Sequence, residues 1–224
     1  MIKPIYKNKG DTLNPENYRP ITLLSCLGKL FTAVLNERLN VFLADNNILL
    51  ENQAGFRKHY STTDHIFVLQ SLFELLKLQK KKLYCAFIDF SKAFDSVWRI
   101  GLWQKLLHNE INGKFFRVIY NMYQNIKSCI SLKESNSSFF ESCIGLRQGE
   151  NLSPVLFSIF LNDLENYLQS NNTAGVEFEF LNEDIYFYIK FVVLLYADDT
   201  VLLCDSPDDL QKCLNDFITV GFGN

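Results

Sequence analysis

Two adjacent aspartates, Asp198 and Asp199, stand between two apolar runs near the end of the chain, at 191–197 and 200–204. An apolar run of this length is typical of a buried strand, whereas a carboxylate close to an apolar core is costly unless something compensates its charge. We therefore predict a hairpin of two strands with both acids at its tip. An ordinary solvated turn is the alternative, because Asp is a common turn residue.

A third acid ends another apolar run. The run at 83–88 has the length of a strand, and Asp89 follows it at a predicted strand-to-helix turn. If the two strands are neighbours, the three carboxylates converge and repel each other unless cations bind them. Mg²⁺ prefers hard oxygen ligands and is commonly held by one or two carboxylates together with substrate phosphates. Two such ions, about 3.5–4 Å apart, can clamp the attacking and leaving oxygens of a phosphoryl transfer.

The composition is that of a folded globular chain. Of the 224 residues, 48% are hydrophobic and 21% are charged, which excludes a disordered tail, a collagen and a low-complexity linker. The six cysteines form no CxxC pair and, with the three histidines, no zinc spacing, so we interpret them as buried thiols in a reducing compartment. The longest apolar run, 191–197, is far shorter than the roughly 20 residues of a membrane helix.

Charge is distributed unevenly along the chain. The 22 basic and 25 acidic residues leave a net charge of −3, yet residues 1–133 carry 19 of the basic residues and only 10 of the acidic ones. Such an asymmetry indicates one surface for an anion such as nucleic acid and another for cations. Lysines scattered over solvated helices are the alternative interpretation.

The hydrophobic pattern predicts an irregular order of helices and strands. Apolar residues recur at helical spacing in several segments, and Ser153-Pro154 is a favourable helix start. We predict helices over 22–43, 61–79, 102–108, 114–125, 153–168 and 207–217, and strands over 83–88, 127–133, 138–144, 185–196 and 200–204. This irregular order favours an α+β fold over a repeated βαβ sheet.

Five sequence blocks together resemble the reverse transcriptases. The catalytic motifs of that family are similar to DFSKAFD at 89–95, LRQGENLSP at 146–154 and YADD at 196–199, and its finger blocks to NYRPIT at 17–22 and QAGFR at 53–57. YADD alone is short enough to recur by chance, whereas five blocks in order are a specific signal. The set is most similar to the polymerases of non-LTR (LINE-type) retrotransposons.

The resemblance implies an α+β right-hand polymerase with fingers and palm, in which the palm has a ferredoxin-like antiparallel sheet and the thumb is absent. It implies a fingers-like region at 1–82, a palm at 83–217 with finger elements between 100 and 145 left unassigned, and a truncated tail at 218–224. The implied activity is that of an RNA-directed DNA polymerase using an RNA template, a DNA primer and deoxynucleoside triphosphates. We expect an intracellular protein of the nucleus or cytoplasm with no membrane partner, and its oligomeric state is left open.

The resemblance also implies a catalytic set. Asp89, Asp198 and Asp199 match the catalytic, metal-binding acids of the family, which hold two Mg²⁺ ions, with Mn²⁺ as a substitute. Asp199 matches the acid that is usually the weaker or indirect ligand. Phe94 matches the aromatic residue whose ring occupies the space that a ribose 2′-hydroxyl would need. The alternative for Phe94 is a core residue of the helix that follows.

A second implied set binds nucleotide and nucleic acid. Gln148 and Gly149 match the loop that contacts the templating pair and the incoming nucleotide. Lys7 and Arg19 match basic finger residues that neutralise the triphosphate, and Arg suits bidentate phosphate contact. Arg57 is assigned to template or primer. For these basic residues, solvated surface charge is the alternative interpretation.

The sequence also departs from the family pattern. Glu150-Asn151 stand where the family commonly has Cys-Pro. The chain begins almost at the finger block and ends soon after residue 217, so we expect neither an upstream endonuclease nor a thumb. A catalytically inactive remnant, or an RNA-binding module with the same fold, is therefore the alternative to an active polymerase. A nucleotide cyclase is disfavoured by the finger-like blocks, and an intron maturase by the lack of a maturation domain.

Overall fold

The computed structural model describes residues 1–133, 135–171, 173–182 and 185–221. Within these residues the helices are α1 (Cys26–Asp45), α2 (Thr62–Leu78), α3 (Ala93–Ser96), α4 (Arg99–His108), α5 (Gly113–Met122), α6 (Ser153–Leu161), α7 (Leu164–Ser170) and α8 (Pro207–Gly221). The strands are β1 (Ile2–Tyr6), β2 (Tyr18–Thr22), β3 (Tyr84–Asp89), β4 (Lys127–Ser128), β5 (Ser131–Leu132), β6 (Ser135–Asn136), β7 (Phe140–Glu141), β8 (Val176–Asn182), β9 (Ile185–Phe191), β10 (Val193–Tyr196) and β11 (Asp199–Cys204).

The mixture of helices and antiparallel strands confirms the predicted α+β class. Several boundaries differ from the prediction. The helix predicted over 22–43 begins only at Cys26, because 18–22 pairs as β2 and the Ser25 hydroxyl caps the helix by accepting from the Gly28 amide at 3.0 Å. The helix predicted over 153–168 divides into α6 and α7, and the strand predicted over 185–196 divides into β9 and β10.

The chain forms two compact units. Unit 1 comprises Met1–Ile48 and Lys92–Phe160, and unit 2 comprises Leu49–Ser91 and Leu161–Asn224. The fingers and palm segments predicted from the sequence stay a prediction, since these units are defined by contacts rather than by function. None of the described helices is long and apolar enough to cross a bilayer.

Unit 1 begins with a two-stranded antiparallel hairpin that pairs β1 with β2. Ile5 lies opposite Arg19, and Pro4 lies opposite Pro20. In β1 the partly buried and exposed positions alternate, as they do when only one face of a strand is covered, whereas in β2 only Arg19 is exposed. The hairpin is joined to the rest of unit 1 by the Ile2 amide, which donates to the Cys129 carbonyl at 2.8 Å.

Unit 2 is built on an antiparallel sheet of order β10-β11-β3. Because successive side chains of a strand point to opposite faces, its apolar residues form two cores. One core joins the sheet to α7 and α8 and contains Val193, Leu195, Leu202, Leu164 and Phe217 among others. The other core joins the sheet to α2 and β8 and contains Leu194, Leu203, Leu72, Leu76 and Phe178 among others. Since both faces of β10 and β11 are covered, these two strands are largely apolar rather than alternating, whereas Phe87 on the edge strand β3 is exposed.

Candidate active site

In unit 2, Asp198 and Asp199 occupy the tight turn between β10 and β11. Tyr196 pairs with Asp199 across the turn, so that Ala197 and Asp198 alone connect the strands. Ala197 has a φ of +58°, a backbone conformation that a non-glycine residue seldom adopts and that costs free energy. The hairpin predicted from the sequence is therefore present, with Asp198 half-buried and Asp199 exposed.

Asp89 lies directly opposite Asp199 in the antiparallel pairing of β3 with β11. Residues opposite each other in such a pair project to the same face of the sheet, and like charges there destabilise the pairing. The pKa of the Asp199 carboxyl is raised by its desolvation and by the negative charges of Asp198 and Asp89. The backbone of the third acid is adjacent as well, since the Phe90 amide makes a long contact of 3.5 Å with the Asp198 carbonyl. The three acids thus share one end of the sheet.

This arrangement suits a hard divalent cation. Neighbouring carboxylates that repel one another gain from a cation that neutralises them, and oxygen ligands are those that Mg²⁺ prefers. Among the described residues, no group of three His, Cys, Asp or Glu side chains could hold a metal ion by itself. An ion bound by these acids would therefore need further ligands, such as water or phosphate oxygens, to complete its coordination.

The loop at 52–57 lies directly against this turn within unit 2. The Leu195 amide donates to the Asn52 carbonyl at 2.8 Å, and the Ala54 amide donates to the Leu195 carbonyl at 2.9 Å. Gly55 is in contact with the backbone of the turn, so that a Cβ on Gly55 would overlap the Ala197 backbone nitrogen. This position requires glycine because another backbone occupies the space of a side chain.

Arg57 ends the same loop, and its guanidinium contacts residues within and beside that loop. It donates to the carbonyls of Leu50 at 2.8 Å and Gln53 at 3.1 Å, and it lies 4.0 Å from the Tyr60 ring centroid. These contacts hold the loop in shape. The assignment of Arg57 to template or primer stays a prediction.

In unit 1, the loop with Gln148 and Gly149 lies against β2. The Thr22 amide donates to the Gln148 carbonyl at 2.7 Å. Gly149 has a φ of +96°, and a Cβ there would be 3.1 Å from the Thr22 carbonyl oxygen, so the conformation and the close approach both favour glycine. β2 also carries Arg19, which is exposed, and the loop is thus attached to a strand with a predicted phosphate-binding residue.

The side chain of Gln148 makes a contact that the sequence analysis did not predict. Its Nε2 lies 3.3 and 3.2 Å from the two carboxylate oxygens of Asp95. Burial raises the pKa of Asp95, and the Gln148 hydrogen bond and the positive charges of Lys92 and Lys7 oppose that rise. Lys7 itself is exposed and donates through Nζ to the Glu16 carbonyl at 3.0 Å. Two predicted nucleotide-binding residues of unit 1, Gln148 and Lys7, thus interact with the same carboxylate.

A buried arginine holds the segment that leads into this loop. Arg99 donates to the carbonyls of Gly145 at 2.7 Å, Ser142 at 2.7 Å, Ile144 at 2.9 Å and Tyr123 at 3.3 Å. Its guanidinium also lies 5.2 Å from the Tyr123 ring centroid. Nothing in the local sequence indicates this role, because the acceptors are backbone carbonyls about 24 to 46 residues away.

Two further contacts complete this part of unit 1. The Tyr123 hydroxyl donates to the buried Glu150 carboxylate at 2.9 Å, so the residue that departs from the family pattern has a specific partner. Phe94 is half-buried and stacks on Phe157 of α6, with ring centroids 5.0 Å apart. The stacking fixes the Phe94 ring and is compatible with both interpretations of this residue.

The structure therefore brings the predicted residues together in two groups. Asp89, Asp198 and Asp199 share one end of the sheet in unit 2, and Arg57 lies in the loop that packs on their turn. The predicted nucleotide-binding residues belong to unit 1, and they are Lys7, Arg19, Phe94, Gln148 and Gly149. The sequence analysis did not single out Gly55, Asp95 or Arg99. Gly55 lies inside the family-like block QAGFR, and Asp95 lies inside DFSKAFD. Their position in these blocks is the signal that could have identified them.

Comparison with known sequences gives a consistent result. The family model described as reverse transcriptase (RNA-dependent DNA polymerase) matches residues 5–221. The probable RNA-directed DNA polymerase from transposon BS of Drosophila melanogaster is 34% identical over 222 residues, which is 97% of this chain and 23% of that protein. The RNA-directed DNA polymerase from mobile element jockey of Drosophila funebris is 30% identical over 222 residues, which is 95% of this chain and 22% of that protein. The chain spans less than a quarter of the length of these relatives.

Solved structures show a similar fold. Apo telomerase from Candida tropicalis, truncated from its C-terminal domain, matches with a TM-score of 0.60 and 15% identity over 91% of this chain and 44% of that chain. Telomerase from the same organism in complex with the TWJ fragment of telomeric RNA matches with a TM-score of 0.55 and 15% identity over 85% of this chain and 30% of that chain. At these identities the likeness concerns the fold alone.

Proposed function

We propose, since this chain belongs to the reverse transcriptase (RNA-dependent DNA polymerase) family, that it is the fingers and palm part of an RNA-directed DNA polymerase of a non-LTR retrotransposon. The resemblance noted in the sequence is confirmed by that match and by the relatives from mobile elements. The activity, the substrates and the partners are our proposal, because the chain spans only part of those relatives.

The observation that carries the proposal is the pairing of Asp89 with Asp199 beside Asp198 at one end of the sheet. In the proposed reaction the primer 3′-hydroxyl attacks the α-phosphate of a deoxynucleoside triphosphate, and pyrophosphate leaves. Asp89 and Asp198 would hold two Mg²⁺ ions, with Asp199 as a weaker or indirect ligand and Mn²⁺ as a substitute. When bound, such ions neutralise the charge that develops on the attacking and leaving oxygens. The carboxylates would position the ions and supply negative charge. The reaction needs no covalent intermediate with the protein.

The residues of unit 1 would bind and orient the nucleotide. Lys7 and Arg19 would neutralise the triphosphate, and both are exposed. Gln148 and Gly149 would contact the incoming nucleotide, since Gly149 offers a close backbone approach. Phe94 would exclude a 2′-hydroxyl, and its stacking on Phe157 would keep the ring from moving aside. The proposed partners are an RNA template and a DNA primer, with Arg57 near one of them, inside the nucleus or cytoplasm.

Primer extension on an RNA template tests this proposal. The 224-residue chain is incubated with Mg²⁺, deoxynucleotides and an annealed DNA primer, beside an Asp198→Asn variant and an Asp45→Asn control. Both variants lose one negative charge, but Asp45 ends α1 and belongs to unit 1. We expect extension by the unmodified chain and by Asp45→Asn, and a loss of about 10³-fold or more in Asp198→Asn, because a ligand of the metal is removed.

Two results would contradict the proposal. Extension that persists unchanged in Asp198→Asn would show that these acids are not the catalytic ones. A folded chain that never extends the primer, yet binds RNA in a filter or anisotropy assay, would instead support the RNA-binding module with the same fold.

A further inference from the structure

We propose that Asp95 is a positioning residue that fixes the direction of the Gln148 side-chain amide in the nucleotide-binding loop. This inference rests on the proposed function, because it takes Gln148 to be a nucleotide contact. It adds a residue that neither the sequence motifs nor the comparisons assign to the site.

The donor and acceptor roles in this pair follow from its chemistry. The Nε2 atom of Gln148 is within hydrogen-bond distance of both oxygens of Asp95, at 3.3 and 3.2 Å. An ionised carboxylate has no hydrogen to donate, so only the amide NH₂ of Gln148 can face it. The Oε1 atom of Gln148 is then directed away from Asp95 and is available as an acceptor. Gln148 is thereby set to receive a hydrogen bond from a donor on the nucleotide rather than to donate one.

The backbone around Asp95 makes this contact a fixed one. The Leu146 amide donates to the Phe94 carbonyl at 2.6 Å, and the Gly145 amide donates to the Val97 carbonyl at 2.9 Å. Gly145 has a φ of +79°, and a Cβ there would come within 2.5 Å of the Asp95 carbonyl oxygen. The two segments are therefore in direct backbone contact, and the separation of Asp95 from Gln148 is set before any ligand binds.

A carboxylate is the side chain that enforces a single amide direction. Asparagine has the same shape, but its own amide can donate as well as accept, so it would allow the Gln148 amide to turn over. Asp95→Asn is thus the informative substitution, because it keeps the volume and removes the directional constraint, and the loss of one negative charge that comes with it is matched in the control variant. The half-buried position of Asp95 strengthens the constraint, since water competes less well for the Gln148 amide there.

The kinetic test is a double-substitution cycle. The KM and kcat for a single deoxynucleotide are measured for the unmodified chain, Asp95→Asn, Gln148→Ala and the double variant, with Asp45→Asn as the charge-matched control. We expect Asp95→Asn to raise KM by about 10-fold with kcat changed less than about 3-fold, as for the loss of one ground-state hydrogen bond. In the Gln148→Ala background, Asp95→Asn should change KM by less than about 2-fold. Equal effects in both backgrounds would overturn the proposal, because Asp95 would then act without Gln148.

A second readout does not depend on activity. The side-chain NH₂ resonances of Gln148 are identified by NMR as the pair that is lost in Gln148→Ala. We expect them to shift and to exchange faster with water in Asp95→Asn and Asp95→Ala, and to stay unchanged in Asp45→Asn. Resonances that are the same in the unmodified chain and in both Asp95 variants would overturn the inference, even where one variant is poorly folded.

The two readouts separate this inference from the proposed function. A chain that does not extend the primer, while its Gln148 resonances shift in Asp95→Asn as expected, contradicts the proposed polymerase function and supports the pairing. A chain that extends the primer, with Gln148 resonances that ignore Asp95, supports the function and overturns the inference.

Discussion

Replacing Arg99 with methionine should strongly destabilise unit 1. The side chain is 7% exposed and donates to four backbone carbonyls, those of Tyr123, Ser142, Ile144 and Gly145. Methionine fills a comparable volume but has no donor. Backbone carbonyls cannot be replaced by apolar atoms, so the substitution leaves acceptors without partners rather than removing both members of each pair.

The magnitude follows from which carbonyls water could reach after the substitution. Ile144 is exposed and Ser142 is partly exposed, so their carbonyls can be rehydrated at little cost. Gly145 and Tyr123 are buried, and an unsatisfied buried acceptor costs about 1–3 kcal/mol. Two such acceptors give an expected loss of about 2–6 kcal/mol in the free energy of unfolding. Arg99→Lys should lose less, about 1–3 kcal/mol, because an ammonium can still donate to some of these carbonyls but cannot span them all.

Urea unfolding followed by tryptophan fluorescence measures this loss, with Trp103 on the same helix as the reporter. The control is Arg117→Met on α5, where the arginine is exposed and makes one bond of 3.3 Å to the Gly113 carbonyl, and it should cost less than about 0.5 kcal/mol. A loss below about 1 kcal/mol in Arg99→Met would refute the reasoning, as would equal losses in both variants. Either result would mean that the carbonyls find other partners or water.

Three further predictions concern unit 2. Gly55→Ala should cost about 1–3 kcal/mol in unfolding free energy by overpacking against the Ala197 backbone. Gly28→Ala, where the nearest neighbour of a Cβ would be the capping Ser25 hydroxyl at 3.2 Å, should cost less than about 1 kcal/mol in the same urea titration. Because the pKa of Asp199 is raised in the folded chain, its ionisation destabilises the fold in full above the folded pKa, and this penalty shrinks as the pH falls below the folded pKa and is gone below the unfolded pKa. Asp199→Asn should therefore stabilise by up to about 0.5 kcal/mol at pH 7 but not at pH 3. Mg²⁺ at about 10 mM should raise the Tm of the unmodified chain by about 1–4 °C and that of Asp198→Asn by less, and equal shifts would argue against an ion at these acids.

Local sequence patterns were sufficient for much of unit 2. Helix α2 was predicted over 61–79 and is found over Thr62–Leu78, because Ser61 and Asp64 form a capping box that marks its start. The strand predicted over 83–88 is β3. The hairpin that carries Asp198 and Asp199 is formed by the two apolar runs, as predicted. In each case a few consecutive residues carry the signal, and the tertiary structure agrees with this local preference.

The hairpin of β1 with β2 was not predicted, and prolines explain why. Pro4 and Pro20 stand in the middle of these strands and lie opposite each other. A proline lacks the amide hydrogen of a strand ladder and usually argues against a strand. It is tolerated here because the sheet has only two strands, so the proline positions need hydrogen bonds along one edge only. That condition depends on the number of neighbouring strands, which no local pattern reveals.

The residues of the candidate site also differ in this respect: some could be predicted from neighbouring residues, and others depend on residues far away in the sequence. Asp89 and Asp199 could be singled out because each stands at the end of an apolar strand, where a carboxylate needs an explanation. Asp95 lies inside a family-like block, but its proposed task could not be predicted, because that task depends on Gln148, which is 53 positions away along the chain. Two glycines show most clearly what cannot be predicted from the sequence alone. Gly113 and Gly145 both have positive φ values, but a Cβ on Gly113 would meet nothing within 4 Å, whereas one on Gly145 would meet the backbone of Asp95. Only the folded contact separates a glycine that serves a turn from one that lets two site segments touch.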